Sequence, residues 1–314
     1  MSAPKVSVCI PVYNAADYIR QAIDSVLVQN FRDYEIVIVD NSSTDATVSV
    51  IEDATKRAAG NVRFYRNDRN IGLVANLNKC LEYARGDYIK FLCADDLLLP
   101  GCIEAMARAL DHNHSATLVG CTRTTIDKHG RNLGSKRYPG NGTVIGGHEV
   151  ITRCLFGGNF IGEPSAVMFR RRQAADGFQE SMPQLSDMDM WFRLLEQGDF
   201  IVLKQSLCAV RLHTTQVTHA NTMSDVLVRD NVTLFDAYSR KAYIRLTFRG
   251  TIRHKILIAY RTWMSRKYIS DESRRMVLQK YSHTWIYQLM PLAVLILSVW
   301  PPRLPWRKRA SMRL

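Results

Sequence analysis

Two adjacent carboxylates, Asp95 and Asp96, follow an apolar run and precede a Pro-Gly break in the stretch KFLCADDLLLPG. Like charges side by side repel, and neither gains from lying at the end of a buried strand. Asp oxygens in that setting suit a hard divalent cation, Mg2+ or Mn2+, whose other positions are filled by water and phosphate oxygens. The same pair could instead cap a helix starting near Pro100. A third acid, Asp40, ends the apolar run YEIVIVD. Taken singly it could cap no more than the next turn.

Whether these acids work together depends on the elements that carry them. VSVCIPVYN reads as a buried strand that stops at a polar break, and DYIRQAIDSVL follows with Ile19, Ile23, Val26 and Leu27 at helical spacing. YEIVIVD, VRFYR and DYIKFL continue the strands. Between them lie a helix capped around Ser43 or Thr44 and closed by Gly60, and the helix LVANLNKCLEYARG. PGCIEAMARAL then predicts a further helix. This alternation over the first ~110 residues predicts an α/β fold: a Rossmann-like, mostly parallel sheet with helices on both faces. Ligands of such sheets bind beyond the carboxyl ends of strands. Asp40 and the Asp95–Asp96 pair therefore share one rim and face one cleft.

Past residue 111 the pattern is looser. SATLVG and Ser165–Arg172 predict strands, GNGTVIGG and FGGNFIGEPS loops, and Ser186–Gly198 a capped helix ending in glycine. The division expected is 1–110, 111–235 and 236–314. The last segment holds 17 Lys and Arg against three Asp and Glu, so it carries the whole excess of the +13 chain. Such a tail meets an anionic partner, a lipid surface or nucleic acid. Within it, Trp285–Trp300 has no charge in 16 residues. At about 24 Å this run is short of a ~30 Å hydrocarbon core, and Pro291 interrupts it. Flanking basic residues and bracketing tryptophans predict an interfacial or shallowly inserted helix; a core-packing helix is the alternative. The seven scattered cysteines lack any CxxC pair and read as core residues of a reducing compartment. The short apolar run at the start is too brief for a signal peptide. The expected location is the cytoplasm, peripheral or monotopic at the inner face of the cell membrane.

No GxxxxGK[ST] is present, and GGNFIG does not fit GxGxxG. A diphosphate would be held by a metal and basic side chains. The stretches VSVCIPVYNAADYIRQAIDSVLVQNFRDYEIVIVDNSSTDAT and NIGLVANLNKCLEYARGDYIKFLCADD resemble the nucleotide-sugar domain of family 2 glycosyltransferases, inverting enzymes of GT-A fold. The resemblance extends more loosely through GEPSAVMFRR, SDMDMWFRL and VRLHTTQVT to about residue 218 and does not cover the tail.

The resemblance implies that the turn at Pro11, Val12, Tyr13 and Asn14 lies against the nucleotide and that Asp40 contacts its base or ribose. It places Asp95 and Asp96 on the acidic metal-binding motif that orients the donor diphosphate. The family pattern usually has Asp two residues before Asp95, where this chain has Cys93; ligation then rests on Asp95, with Asp96 in a supporting or sugar-contacting role. His213 would contact the diphosphate or the metal. The helix SDMDMWFRLLEQG resembles the segment that supplies the catalytic base. Asp187 and Asp189 lie about 200° apart around it. Asp189 stands four residues before Arg193, the spacing of an ion pair, which leaves Asp187 as the expected base, kept ionised by the helix dipole.

The resulting expectation is an inverting, metal-assisted transfer of a sugar from a UDP- or dTDP-linked donor to a hydroxyl of a glycan or lipid-linked glycan at the cytoplasmic membrane surface, with Mg2+ or Mn2+ and no nucleic-acid partner. Two rivals are a sugar-phosphate nucleotidyltransferase, which usually carries a glycine-rich basic loop that IPVYNAADY lacks, and a non-catalytic membrane- or nucleic-acid-binding protein, for which the acid cluster has no use.

Overall fold

A computed structural model describes residues 3–56, 58, 61–138, 144–213, 224–245, 248–264 and 269–281. The apolar run Trp285–Trp300 and the rest of the chain end lie outside the described residues, as does Gly60.

The first strands form as their composition requires. β1 (Val6–Val12), β2 (Tyr34–Asp40), β3 (Val62–Arg66) and β4 (Tyr88–Phe91) pair in parallel in the order β3-β2-β1-β4. Every residue of β1, β2 and β4 is buried, because helices cover both faces. Val8 and Ile10 of β1 with Ile36 and Ile38 of β2 face α1 (Ile19–Leu27), α2 (Thr47–Thr55) and α4 (Cys102–His112). The alternate residues Cys9, Val37 and Val39 face α3 (Leu73–Tyr83). α2 begins at Thr47, later than a cap at Ser43 or Thr44 implies; the Asp45 carboxylate accepts the Thr47 N–H at 3.0 Å.

Beyond β4 the sheet becomes mixed. A short β5 (Leu97–Leu98) precedes α4, then come β6 (Ala116–Ile126), β7 (Asn132–Lys136), β8 (Val144–Ile145), α5 (Gly147–Gly157), β9 (Val167–Arg170), α6 (Ser186–Leu195) and β10 (Asp199–Arg211). β9 lies antiparallel between β4 and β6 and joins the two halves; β6 and β10 are parallel to one another. α5 and α6 share the α3 face of the sheet. So do three further helices, α7 (Val226–Ser239), α8 (Phe248–Met264) and α9 (Asp271–Tyr281): Val232, Phe235, Ile258 and Val277 are buried in the same apolar cluster as Trp191 and Phe192. Residue 236 lies inside α7. Among the described residues, no helix is long and apolar enough to cross a membrane.

α6 has no side-chain cap of its own, and Ser186 is its first helical residue. Asp230 of α7 holds the approach instead, accepting the backbone N–H groups of Gln184 at 2.6 Å and Leu185 at 3.0 Å.

Candidate active site

The mouth of the sheet opens where β1 and β4 part. Their pairing ends at Cys9 and Phe91, while β1 runs on beside β2 to Val12. The Leu92 N–H donates to the Cys9 carbonyl, so Cys9 and, two residues on, Pro11 present their backbone toward β4. Pro11 therefore lacks its N–H where no strand is left to receive it. Beyond it, the loops after β1 and β2 are stitched together. Asn14 N–H donates to Ser43 Oγ at 2.9 Å and Thr44 N–H to Asn14 Oδ1 at 2.8 Å. Asn14 and Ser42 sit at φ 47° and 63°, left-handed conformations that cost energy away from glycine. Tyr13 is exposed at this rim. Asp40 is fully buried: its carboxylate accepts from Ser43 N–H at 3.0 Å and from Ser43 Oγ, and pairs with Arg66 at 3.2 Å. Its visible work is to shape the loop, with Arg66 reaching the surface.

The acid turn follows β4. His213 Nε2 lies 2.9 Å from Asp95 Oδ2, and donor atoms of Cys93, Asp95 and Asp96 all lie within 4.8 Å of one another. Asp96 is only 3% exposed rather than open to the cleft. Burial, then the Asp95 carboxylate, pushes its carboxyl well above the usual carboxylate range. Burial and the same two acids push the Cys93 thiol up. Groups crowded so that their negative forms oppose one another are the donor set a divalent cation relieves; the two carboxylates, with the His213 nitrogen beside Asp95, fit Mn2+ or Mg2+, while the Cys93 sulfur is the soft member of the set.

Arg211, buried at the end of β10, fixes this turn. Its N–H donates to Asp96 Oδ1 and its Nε to the Asp95 carbonyl, both at 2.8 Å. The guanidinium also reaches Gln21 Oε1 and the carbonyls of Asp127 and Lys128, and lies over the Tyr18 ring, which stacks on His213. Behind the turn, buried Lys90 donates to the Ser165 carbonyl, and Ser165 Oγ accepts the Cys93 N–H at 2.9 Å.

β9 runs antiparallel to β4, so the segment before it, Glu163–Ala166, arrives at this same rim. Gly162, at φ 124°, lets the segment pass Arg123, where a Cβ would come within 3.1 Å of the guanidinium. Glu163 pairs with Arg123 and, at 2.7 Å, with Lys136. Against the upward push of burial, these two cations hold its carboxyl below the usual range. Its charge also raises the carboxyls of Asp96 and Asp187.

On α6 the two acids have different surroundings. Asp189 is 5% exposed, bonded to Arg193 Nε at 2.8 Å and to the Tyr238 hydroxyl at 3.2 Å. The Asp187 carboxylate accepts the Met188 N–H at 2.7 Å and, among the described residues, pairs with no cation. Burial, with Glu163 adding, pushes its carboxyl up to about 7. The helix N-terminus thus does not hold it fully ionised; desolvation outweighs the dipole. A carboxylate balanced near neutrality can both take and hold a proton.

Glu163, Ser165, Lys90 and Arg211 were not singled out from the sequence. Lys90, a lysine inside the strand DYIKFL, was the one available signal, since a buried cation must find partners.

The sheet is that of a GT-A fold, and the chain belongs to glycosyl transferase family 2, whose model matches residues 7–178 and makes it a glycosyltransferase. Among its relatives is the protein MT1568 of Mycobacterium tuberculosis, 35% identical over 234 residues that cover 70% of this chain and 71% of the relative. Two solved structures share the fold. S. aureus TarS 1–349 in complex with UDP-GlcNAc superposes with a TM-score of 0.61 at 14% identity, covering 92% of each chain. The mannosyltransferase PcManGT from Pyrobaculum calidifontis, in complex with GDP-Man and Mn2+, gives 0.58 at 16% identity over 96% of this chain and 88% of its own.

Proposed function

We propose that the protein transfers a sugar, with inversion at its anomeric carbon, from a nucleoside-diphosphate donor to a hydroxyl of a glycan or lipid-linked glycan. Asp187 carries this reading: at the start of α6, in the segment expected to supply the base, its carboxyl is raised to about 7 by burial. It takes the proton from the acceptor hydroxyl as that oxygen attacks the anomeric carbon in line, and the nucleoside diphosphate leaves. The Pro11–Asn14 turn and the loop after Asp40 receive the nucleotide, a UDP- or dTDP-linked one, as the UDP-GlcNAc complex of TarS supports by fold. Asp95, with Asp96 and His213, would hold Mn2+ or Mg2+, which supplies positive charge against the departing diphosphate. The Mn2+ present with PcManGT supports this choice. The basic chain end brings the enzyme to the cytoplasmic face of the membrane, where lipid-linked acceptors lie. Family membership favours glycosyl over nucleotidyl transfer.

The test is a panel of nucleotide-sugars scored for thermal stabilisation and hydrolysis with Mn2+, followed by NMR of the new anomeric linkage. Retained anomeric configuration would remove the single-displacement role of Asp187. Stabilisation by none of the panel would remove the sugar-donor reading altogether.

A further inference from the structure

β7 is exposed along its whole length. Its place in the sheet gives that exposure meaning. β9 pairs with β6 only at Leu118–Gly120, whereas β7 pairs with the same strand at Arg123–Ile126. Above the point where β9 begins, β7 therefore replaces it beside β6. Glu163–Ala166 lies below as the floor.

Both ends of the β6–β7 hairpin are tied into the cleft. At its tip, the carbonyls of Asp127 and Lys128 accept from Arg211, which also fixes the acid turn. At its far end, Lys136 pairs with Glu163, whose charge adds to the upward push on the Asp187 carboxyl. The tip is stiff: Asp127 accepts the N–H groups of His129 and Arg131 and pairs with the Arg131 side chain at 2.6 Å. The hairpin thus forms a firm wall running from the acid turn to Glu163.

That wall is basic. Residues 127–137 hold Lys128, Arg131, Lys136 and Arg137, with exposed His129, against Asp127 as the one acid. Among the described residues no carboxylate pairs with Lys128 or Arg137. Residues 1–235 are close to electroneutral with the hairpin included and acidic without it, so the hairpin is a local reversal of charge beside the acid turn. A neutral sugar acceptor gains little from such a wall, whereas an anionic one is drawn to it and oriented by it.

We propose that the β6–β7 hairpin docks an anionic saccharide acceptor, one bearing phosphate, sulfate or carboxylate groups along its chain. This rests on the glycosyl-transfer reading above for the word acceptor, but the docking itself does not require transfer. A lipid surface is the less favoured occupant, because the hairpin is anchored at both ends in the catalytic cleft.

The experiment places an environment-sensitive dye on the full chain through Leu133→Cys, an exposed position on β7; six of the seven native thiols are buried. The probes are dextran sulfate, neutral dextran of equal length and phosphatidylglycerol vesicles. Dextran sulfate should shift the dye at low salt, and dextran should not. Lys128→Glu with Arg137→Glu should weaken that binding by about tenfold. Unchanged affinity in the double variant overturns the proposal. A dye response to vesicles stronger than to dextran sulfate also overturns it, in favour of a membrane contact. Nucleotide-sugar stabilisation is read on the same sample, so failure of the donor reading is seen separately from failure of docking.

Discussion

His213 Nε2 sits 2.9 Å from Asp95 Oδ2, across 118 residues of sequence. The contact joins the end of β10 to the end of β4; Tyr18, at the start of α1, stacks on the histidine, and Arg211 of β10 holds the Asp95 backbone. A histidine and a carboxylate so placed can share a cation. His213→Ala should therefore raise the half-saturating Mn2+ concentration by about tenfold, and Asp95→Asn should abolish Mn2+ binding while the melting temperature holds. Mn2+ electron paramagnetic resonance on each variant is the check. Turnover that ignores EDTA would show that the pair serves something other than a metal.

The Asp187 carboxyl, raised to about 7 by burial and then by Glu163, sets the pH dependence. A base works only when ionised, so acceptor-dependent turnover should rise with pH through about 7 and then level. Asp187→Asn should lower turnover by about a hundredfold or more with sugar-donor affinity kept. Glu163→Gln removes one of the groups that raises this carboxyl and leaves Arg123 and Lys136 unbalanced nearby. Both effects favour the ionised form, so the rising limb should move to lower pH. A limb that stays put would remove Glu163 from the account.

Asp189 has the opposite character. Asp189→Asn weakens its bonds to Arg193 and Tyr238 in a setting where both partners are mostly buried. The expected loss is about 2 kcal/mol of stability, seen in denaturant unfolding, with turnover of the folded fraction near normal. A hundredfold loss of turnover at unchanged stability would transfer the base role from Asp187 to Asp189.

How far these assignments were legible depends on what each residue contacts. β1, β2 and β4 announce themselves because strands buried on both faces must be apolar throughout, and the acids that end them then stand out. The Asp189–Arg193 pair was legible from its spacing, and the structure contains it. Arg211 was not, because its role comes from four segments that meet only in three dimensions. β7 was missed for a related reason: an exposed strand with glycine and serine, NLGSK, has neither alternation nor apolar content to mark it. α5 was not singled out, because the glycine-rich stretches GNGTVIGG and FGGNFIGEPS on either side of it read as loops. The ionisation of Asp187 was misjudged because burial, unlike helix position, leaves no local trace in sequence.

The chain end supplies the last prediction. Residues 236–314 hold 17 basic side chains against three acidic ones, and within them Trp285–Trp300 is uncharged. Helices α7 to α9 use part of this segment to cover the sheet, with Ile258 and Val277 in the core, so the segment is partly structural. Basic residues near an anionic leaflet contribute about 1 kcal/mol each at best, and salt screens them. An apolar helix lying in the interface is held by its buried area, which salt does not weaken. The full chain should therefore sediment with membranes, resist extraction by about 1 M NaCl and come off in detergent. A chain ending at Ser282 keeps every described helix, α9 included, and should stay folded and bind vesicles only at low salt. If the full chain instead stays in the supernatant without detergent, the uncharged run packs against protein, and the acceptor need not be at a membrane.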